Sequence, residues 1–82
     1  MERERVKERV VCIINERLTD DPVTEETKLE EDLGADSLDC VEICMDLERD
    51  FNTNITDEEF DKTFNESVTV GKIIDFICEK VG

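Results

Sequence analysis

The spacing of apolar residues is the feature that most limits the fold of this 82-residue chain. They recur every three or four positions, as on one face of a helix, and no segment alternates strictly as a half-buried strand would. The spacing predicts helices over residues 2–18, 37–50, 57–62 and 70–81, with Gly82 ending the last one. The expected fold class is therefore all-α: a small four-helix bundle of three longer helices and a short third one, with a long loop between helices 1 and 2.

The same spacing predicts which side chains face the core. They are Val6, Val10, Ile13 and Ile14 in the first helix, Cys40, Ile43, Cys44, Leu47 and Phe51 in the second, Phe60 and Phe64 near the third, and Val70, Ile73, Ile74, Ile77 and Val81 in the last. Residues 19–36 contain Pro22 and Gly34 and show no clear period, so we expect a loop without regular structure. A loop of that length in a compact domain is usually functional.

Net charge narrows the choice of partners. The chain has 24 acidic and 10 basic residues and a net charge of −14, which opposes binding to nucleic acid and to anionic lipid surfaces and favours proteins with Lys or Arg patches. Acidic residues can also serve only as a solvated face. No apolar stretch is long enough to insert in a membrane, and the charged start lacks the apolar segment of a signal peptide. We expect a monomer in the cytoplasm; an organelle of a eukaryote is the alternative, which Met1 disfavours because imported chains are processed.

The chain offers little catalytic chemistry of its own. It has no His, so Ser-His and Cys-His pairs cannot form. Its four cysteines lie on apolar stripes without C-x2-C spacing, which favours buried free thiols over a zinc site or disulfides. Asp50, Asn52, Asn54 and Asp61 match positions 1, 3, 5 and 12 of a calcium loop, but Ile55 stands where that loop needs Gly. We therefore expect no dedicated metal site.

A second apolar strip lies on another side of the second helix. It consists of Leu38, Val41 and Met45, edged by the acids Asp39, Glu42, Asp46 and Glu48. A partner with a shallow apolar groove and basic residues would recognise such a surface. Scattered apolar residues are also normal on protein surfaces and need no partner.

The most informative segment is Asp32-Leu33-Gly34-Ala35-Asp36-Ser37-Leu38-Asp39. By position alone Ser37 would be a helix cap. Continued through Cys40-Val41-Glu42, however, the run resembles the prosthetic-group attachment motif of acyl carrier proteins, most closely those of fatty acid synthesis. The resemblance extends over nearly the whole chain, through residues 57–59 to residues 73–77.

The resemblance implies a single acyl-carrier domain over residues 1–82 that is not an enzyme. A phosphopantetheinyl transferase would attach 4′-phosphopantetheine from coenzyme A to Ser37, with magnesium belonging to the transferase. The arm would carry acyl chains as thioesters to fatty acid synthesis enzymes with basic docking patches. The implied docking residues are Asp36, Leu38, Asp39, Val41, Glu42, Met45, Glu48 and Asp57. The implied acyl-pocket residues are Leu29, Leu47, Ile55 and Phe60.

Some positions depart from the family pattern. Leu29 stands where Phe is frequent, Thr56 where Pro is common, and Arg49 interrupts an acidic run. A few extra residues at 63–67 lengthen the segment before the last helix. Two other functions remain open at this stage: an acyl carrier of polyketide synthesis, and an acidic, calcium-responsive helical interaction module in which Ser37 is only a cap.

Overall fold

The computed structural model describes residues 2–81, and within that range it contains five α-helices and no strand. They are α1 (Arg3–Arg17), α2 (Leu29–Leu33), α3 (Ser37–Phe51), α4 (Asp57–Thr63) and α5 (Val70–Val81). The predicted all-α class is confirmed, and the four predicted helices correspond to α1, α3, α4 and α5 with ends within one residue of those expected. The expected helix end at Gly82 lies outside the described residues.

The loop between α1 and α3 is more ordered than the sequence predicted. Its second half contains the five-residue helix α2, whose only buried side chain is Leu29. The Asp32 carboxylate accepts the N–H of Lys28 at 2.8 Å and so stabilises the first turn of α2. A helix with a single buried position shows no periodicity, and this is why the pattern did not reveal it.

This connection is also fastened to the start of α5 by backbone hydrogen bonds. The N–H of Leu29 donates to the carbonyl of Val68 at 3.2 Å, and the N–H of Val70 donates to that of Thr27 at 3.0 Å. Lys28 and Thr69 accordingly form an isolated antiparallel bridge. The loop before α3 therefore has a fixed path across the bundle.

The core lies between α1, α3 and α5. α1 packs against both α3 and α5, while α4 packs mainly against α5. Of the predicted inward residues, Phe60 and Val81 are only partly buried, and the others are buried, as expected. Four more side chains are buried: Leu29 of α2, and Ala35, Ile55 and Val68 of the connecting segments. α4 itself contributes no buried residue, because a seven-residue helix at the rim covers little apolar surface.

The four cysteines are free thiols, as predicted. Cys40 and Cys44 are buried, but Cys12 and Cys78 are only half-buried, because they lie at the margins of their helical stripes. Burial raises the pKa of Cys40, and it raises the pKa of Cys44 to about 11. Both thiols are therefore protonated and unreactive near neutral pH.

Ion pairs from α1 add to this packing. Arg9 donates to both carboxylate oxygens of Asp50, at 2.8 and 2.6 Å. Arg17 pairs with Glu42 and Asp46. These contacts join α1 to α3, and they arise between residues that are 25 to 41 positions apart in the sequence.

The Arg9 pair predicts a pH-dependent contribution to stability. Its hydrogen bond holds the pKa of Asp50 below the ordinary value of 3.8. A carboxyl whose pKa is lowered by folding stabilises the fold above its unfolded pKa and loses that effect as the pH falls through the folded pKa. We expect Arg9→Met to lower the urea midpoint at pH 7, and the deficit relative to wild type to shrink as the pH falls below 3.8.

Arg5→Met is the matched control, since Arg5 is exposed on the same helix and its loss changes the net charge equally. It should lower the midpoint less than Arg9→Met at pH 7. An equal loss in both variants, or a deficit of Arg9→Met that does not change with pH, would contradict the role of the pair.

Candidate functional site

Ser37 is the first residue of α3 and its side chain is exposed. The helix is capped by the residue before it. The Asp36 carboxylate accepts the N–H of Asp39 at 2.9 Å, and the Asp39 carboxylate accepts the N–H of Asp36 at 3.2 Å. This reciprocal capping box provides acceptors for two backbone N–H groups at the helix end without using the serine hydroxyl. Ser37 is therefore available for chemistry in a way that a cap residue is not.

The turn before Ser37 fixes the path of the backbone that leads to the serine. Gly34 ends α2 in the left-handed conformation, with φ 69°, and its N–H donates to the carbonyls of Glu30 and Leu29. A Cβ at Gly34 would meet no atom within 4 Å, so the backbone conformation, not space, requires glycine here. Ala35 is buried and donates its N–H to Leu29 at 2.9 Å. The chain is thus anchored two residues before Ser37.

The exposed strip begins next to Ser37 and follows α3. Leu38, Val41 and Met45 are 64%, 42% and 54% exposed, and they are the large apolar side chains that the described part of the chain leaves most open to solvent. Met45 lies eight residues beyond Ser37, about 12 Å along the helix axis. The strip is therefore continuous with the serine on one surface.

The acids around the strip also have structural contacts that the sequence did not reveal. Glu42 pairs with Arg17 of α1, and Glu48 accepts the N–H of Ile55 at 2.8 Å. Asp57 is exposed in the first turn of α4. Among the expected docking acids, Asp36 and Asp39 thus form the cap, Glu42 is partly neutralised, and Glu48 anchors the turn between α3 and α4.

A cleft of about 290 Å³ opens between α3 and α4, beside the strip. Two of the four expected acyl-pocket residues, Ile55 and Phe60, line it. The other two, Leu29 and Leu47, are fully buried in the core and do not reach it. The sequence did not point to the remaining lining residues as pocket residues: Val41, Cys44, Met45, Glu48 and Asp57. Because Val41 and Met45 belong to both surfaces, the strip forms one wall of the cleft mouth.

A larger groove of about 530 Å³ runs between α1 and α3 but is a poor match for an apolar ligand. Its lining includes Arg9, Arg17, Asp46 and Asp50, whose charged groups pair with one another across it. The hydrogen bond from Arg17 holds the pKa of Asp46 below its usual range, so this carboxylate stays charged. We therefore assign this groove to the α1–α3 interface.

Comparison with known proteins identifies the family. A protein-family model described as a phosphopantetheine attachment site matches residues 8–77. An acyl carrier protein of Thermotoga maritima is 44% identical over 98% of this chain and 96% of its own length. One from Thermosynechococcus vestitus is 42% identical over 99% and 98%, and one from Chlorobium phaeobacteroides is 40% identical over 98% and 100%. This chain belongs to the acyl carrier protein family.

The geometry of Ser37 fits the prosthetic group of the acyl carrier protein family. An exposed hydroxyl at the first helical position leaves room for a covalent substituent, and the positive end of the helix dipole favours a phosphate there. The capping box does not use this hydroxyl, so a substituent on it would remove none of the box's hydrogen bonds. When it is bound, 4′-phosphopantetheine supplies a terminal thiol that carries acyl groups as thioesters.

The structure does not arrange the expected calcium ligands as a calcium-binding loop requires. Asp50, its first expected ligand, is engaged by Arg9, and Asp61 lies inside α4. Across residues 2–81 no three His, Cys, Asp or Glu side chains come together as a metal site.

In the same range, every helix is too short or too polar to cross a bilayer.

The capping arrangement leads to a prediction about Asp36 and Ser37. Asp36→Ala should lower the free energy of unfolding by about 1 kcal/mol because the cap is lost, and Asp36→Asn should cost less because Asn also caps. Ser37→Ala should change it by no more than about 0.5 kcal/mol, as for an ordinary exposed position. Urea unfolding of the three variants tests this, and a loss at Ser37 equal to that at Asp36 would show that the serine is the cap after all.

Proposed function

We propose that this chain carries acyl groups as thioesters on a 4′-phosphopantetheine arm attached to Ser37 and delivers them to fatty acid synthesis enzymes. The observation that carries the proposal is the position of Ser37: exposed, outside the capping box and inside the attachment motif. The named function of the bacterial relatives supports it. In this proposal residues 1–82 act as one carrier domain and perform no catalysis themselves.

The residues around Ser37 present the arm and do not catalyse its attachment. Asp36 and Asp39 hold the helix end, and the left-handed Gly34 turns the chain into it. The phosphopantetheinyl transferase supplies the magnesium and the catalytic groups, since this chain contains no His to act as a base near neutral pH. Tethering on an exposed junction then gives each partner enzyme a high local concentration of the acyl group.

We infer that partners dock on the strip and its acidic border. The apolar side chains Leu38, Val41 and Met45 would enter a shallow groove, and the acids Asp36, Asp39, Glu42, Glu48 and Asp57 would face basic residues. The net charge of −14 would speed the encounter and orient it. The chain acts as a monomer in this arrangement, in the cytoplasm of a bacterium like those of its relatives.

We assign the cleft between α3 and α4 as the entry site for the acyl chain. Ile55 and Phe60 line it together with Val41, Cys44 and Met45, which gives an apolar wall beside the attachment helix. Leu29 and Leu47 are packed in the core behind it, and an acyl chain would reach them only if the helices separated. The high pKa of Cys44, about 11, keeps its thiol from attacking a thioester in the cleft.

The first test of the proposal is modification of the purified chain. Incubation with coenzyme A, magnesium and a broad-specificity phosphopantetheinyl transferase should add one phosphopantetheine to the wild type and none to Ser37→Ala, as read by intact mass. The variant should retain its helical circular dichroism spectrum. A wild-type chain that stays unmodified, or an equally modified Ser37→Ala, would refute attachment at Ser37.

The docking surface predicts opposite effects for two charge changes at one ion pair. Glu42→Lys should lower kcat/KM of the transferase for the unmodified chain by roughly fivefold at low ionic strength, which corresponds to about 1 kcal/mol. Charge reversal at Glu48 should act in the same direction, although it also removes the acceptor of the Ile55 N–H. Arg17→Met frees Glu42 and Asp46 from their partner and should raise kcat/KM.

Salt separates this effect from local damage. The loss of kcat/KM in Glu42→Lys and the gain in Arg17→Met should both diminish at high ionic strength, where exposed charges are screened. Glu79→Lys, an equal charge reversal at an exposed position on α5, is the matched control and should have a smaller effect. If Glu42→Lys and Arg17→Met both lowered kcat/KM, the ion pair would serve stability and not recognition.

A further inference from the structure

The short helix α4 is the most weakly anchored wall of the cleft. It has seven residues, none of them buried, and its main packing partner is α5. Phe60 stacks on Phe64 with 5.1 Å between ring centroids, but Phe60 itself is only partly buried. Apolar packing alone therefore holds α4 loosely.

A partly buried ion pair joins α4 to the last turns of α5. The Lys80 ammonium lies 2.9 and 2.8 Å from the two carboxylate oxygens of Glu59. The side chain of Lys80 is only 17% exposed, less than that of any other base in an ion pair of residues 2–81. Its ammonium also lies 5.6 Å from the centroid of the Phe76 ring, within range of a cation–π contact. Water and salt screen this pair less than the more exposed ones.

Glu59 also holds the first turn of α4. Its carboxylate accepts the N–H and the hydroxyl of Thr56, at 3.0 and 3.2 Å, while the Thr56 hydroxyl accepts the N–H of Glu59 at 3.2 Å. The hydrogen bond from Lys80 is the main reason that the pKa of Glu59 lies below its usual range. One carboxylate therefore links the N-terminal cap of α4 to α5.

Two residues that flank Glu59 on α4, Asp57 and Phe60, form the outer wall of the cleft, opposite Val41 and Met45 of α3. Because α3 is fixed in the core, the width of the cleft depends on the position of α4. We propose that the Lys80–Glu59 ion pair is a latch that holds α4 against α5 and thereby sets the length of acyl chain that the cleft accepts. This inference rests on the proposed function.

Burial of the acyl chain and displacement of α4 are linked equilibria. A longer acyl chain gains from burying each additional methylene but must displace α4 to do so. The latch opposes that displacement, so it limits the chain length at which further burial stabilises the protein. Lys80→Met keeps a long unbranched apolar side chain and removes the ammonium together with its hydrogen bonds to Glu59, which makes it the variant that isolates the latch.

The first experiment measures α4 in the unmodified protein by amide hydrogen exchange. Lys80→Met should raise exchange in residues 57–63 by about tenfold, with little change in the core amides of α3. Glu59→Gln, which retains an acceptor for Thr56, should act in the same direction. Lys72→Met is the matched control, since Lys72 is exposed on the same helix, and it should leave α4 unchanged. Equal exchange in Lys80→Met and Lys72→Met would overturn the latch.

The second experiment measures the thermal midpoint of each protein loaded with acyl chains from butanoyl to dodecanoyl. In the wild type the gain in midpoint per added methylene should stop at a certain length. In Lys80→Met it should continue for about two more methylenes, since a tenfold change in an equilibrium constant corresponds to roughly that much burial. The same stopping length in wild type and Lys80→Met would overturn the role in chain length.

The two proposals fail in different ways. A chain that takes no phosphopantetheine would overturn the proposed function and, with it, the role of the latch in chain length. The exchange experiment uses the unmodified protein and would still decide whether Lys80 and Glu59 hold α4.

Discussion

The packing of α1 against both α3 and α5 is the interaction on which the rest of this structure depends. A chain of 82 residues with four Phe and no Trp or Tyr must build its core mostly from aliphatic side chains, and α1 supplies four of them. Half of the ten basic residues also lie in α1, and Arg9 and Arg17 pair with the acids of α3. One helix thus combines apolar burial with partial neutralisation of the acidic helix beside it, which reduces the self-repulsion of a chain of net charge −14.

The contacts with α1 hold α3 in place, and α3 is therefore the fixed side of the functional site. The serine at its start is exposed because the adjacent aspartates form the cap, while the buried Ala35 and the left-handed Gly34 hold the preceding turn. The strip on the outer face of α3 is exposed because the opposite face of the helix fills the core. In the proposed function, a serine on such a rigid junction moves little itself, so the arm attached to it would provide the reach.

The other half of the cleft is held differently. α4 has no buried residue, and its attachment relies on stacked Phe rings and on one carboxylate shared between its own cap and Lys80. In the proposed function the cleft would both enclose an acyl chain and release it, and a wall held by polar contacts can give way where a packed core cannot. The division between a fixed attachment helix and a loosely held rim follows from where the apolar residues are placed along the chain.

Local patterns in the sequence determined the helices, most of their buried faces, the exposed strip and the attachment motif around Ser37, because helical periodicity, caps and a contiguous motif are properties of neighbouring residues. They did not reveal α2, which buries one residue, or the assignment of the cap to Asp36 in place of Ser37. Only the tertiary structure decided that Arg17 meets Glu42, that Glu48 holds Ile55, that Lys80 holds Glu59, that Leu29 joins the core, and that neither Leu29 nor Leu47 lines the cleft. Each of these contacts depends on how separate helices are placed against one another, and that placement is set by the packing of the whole core.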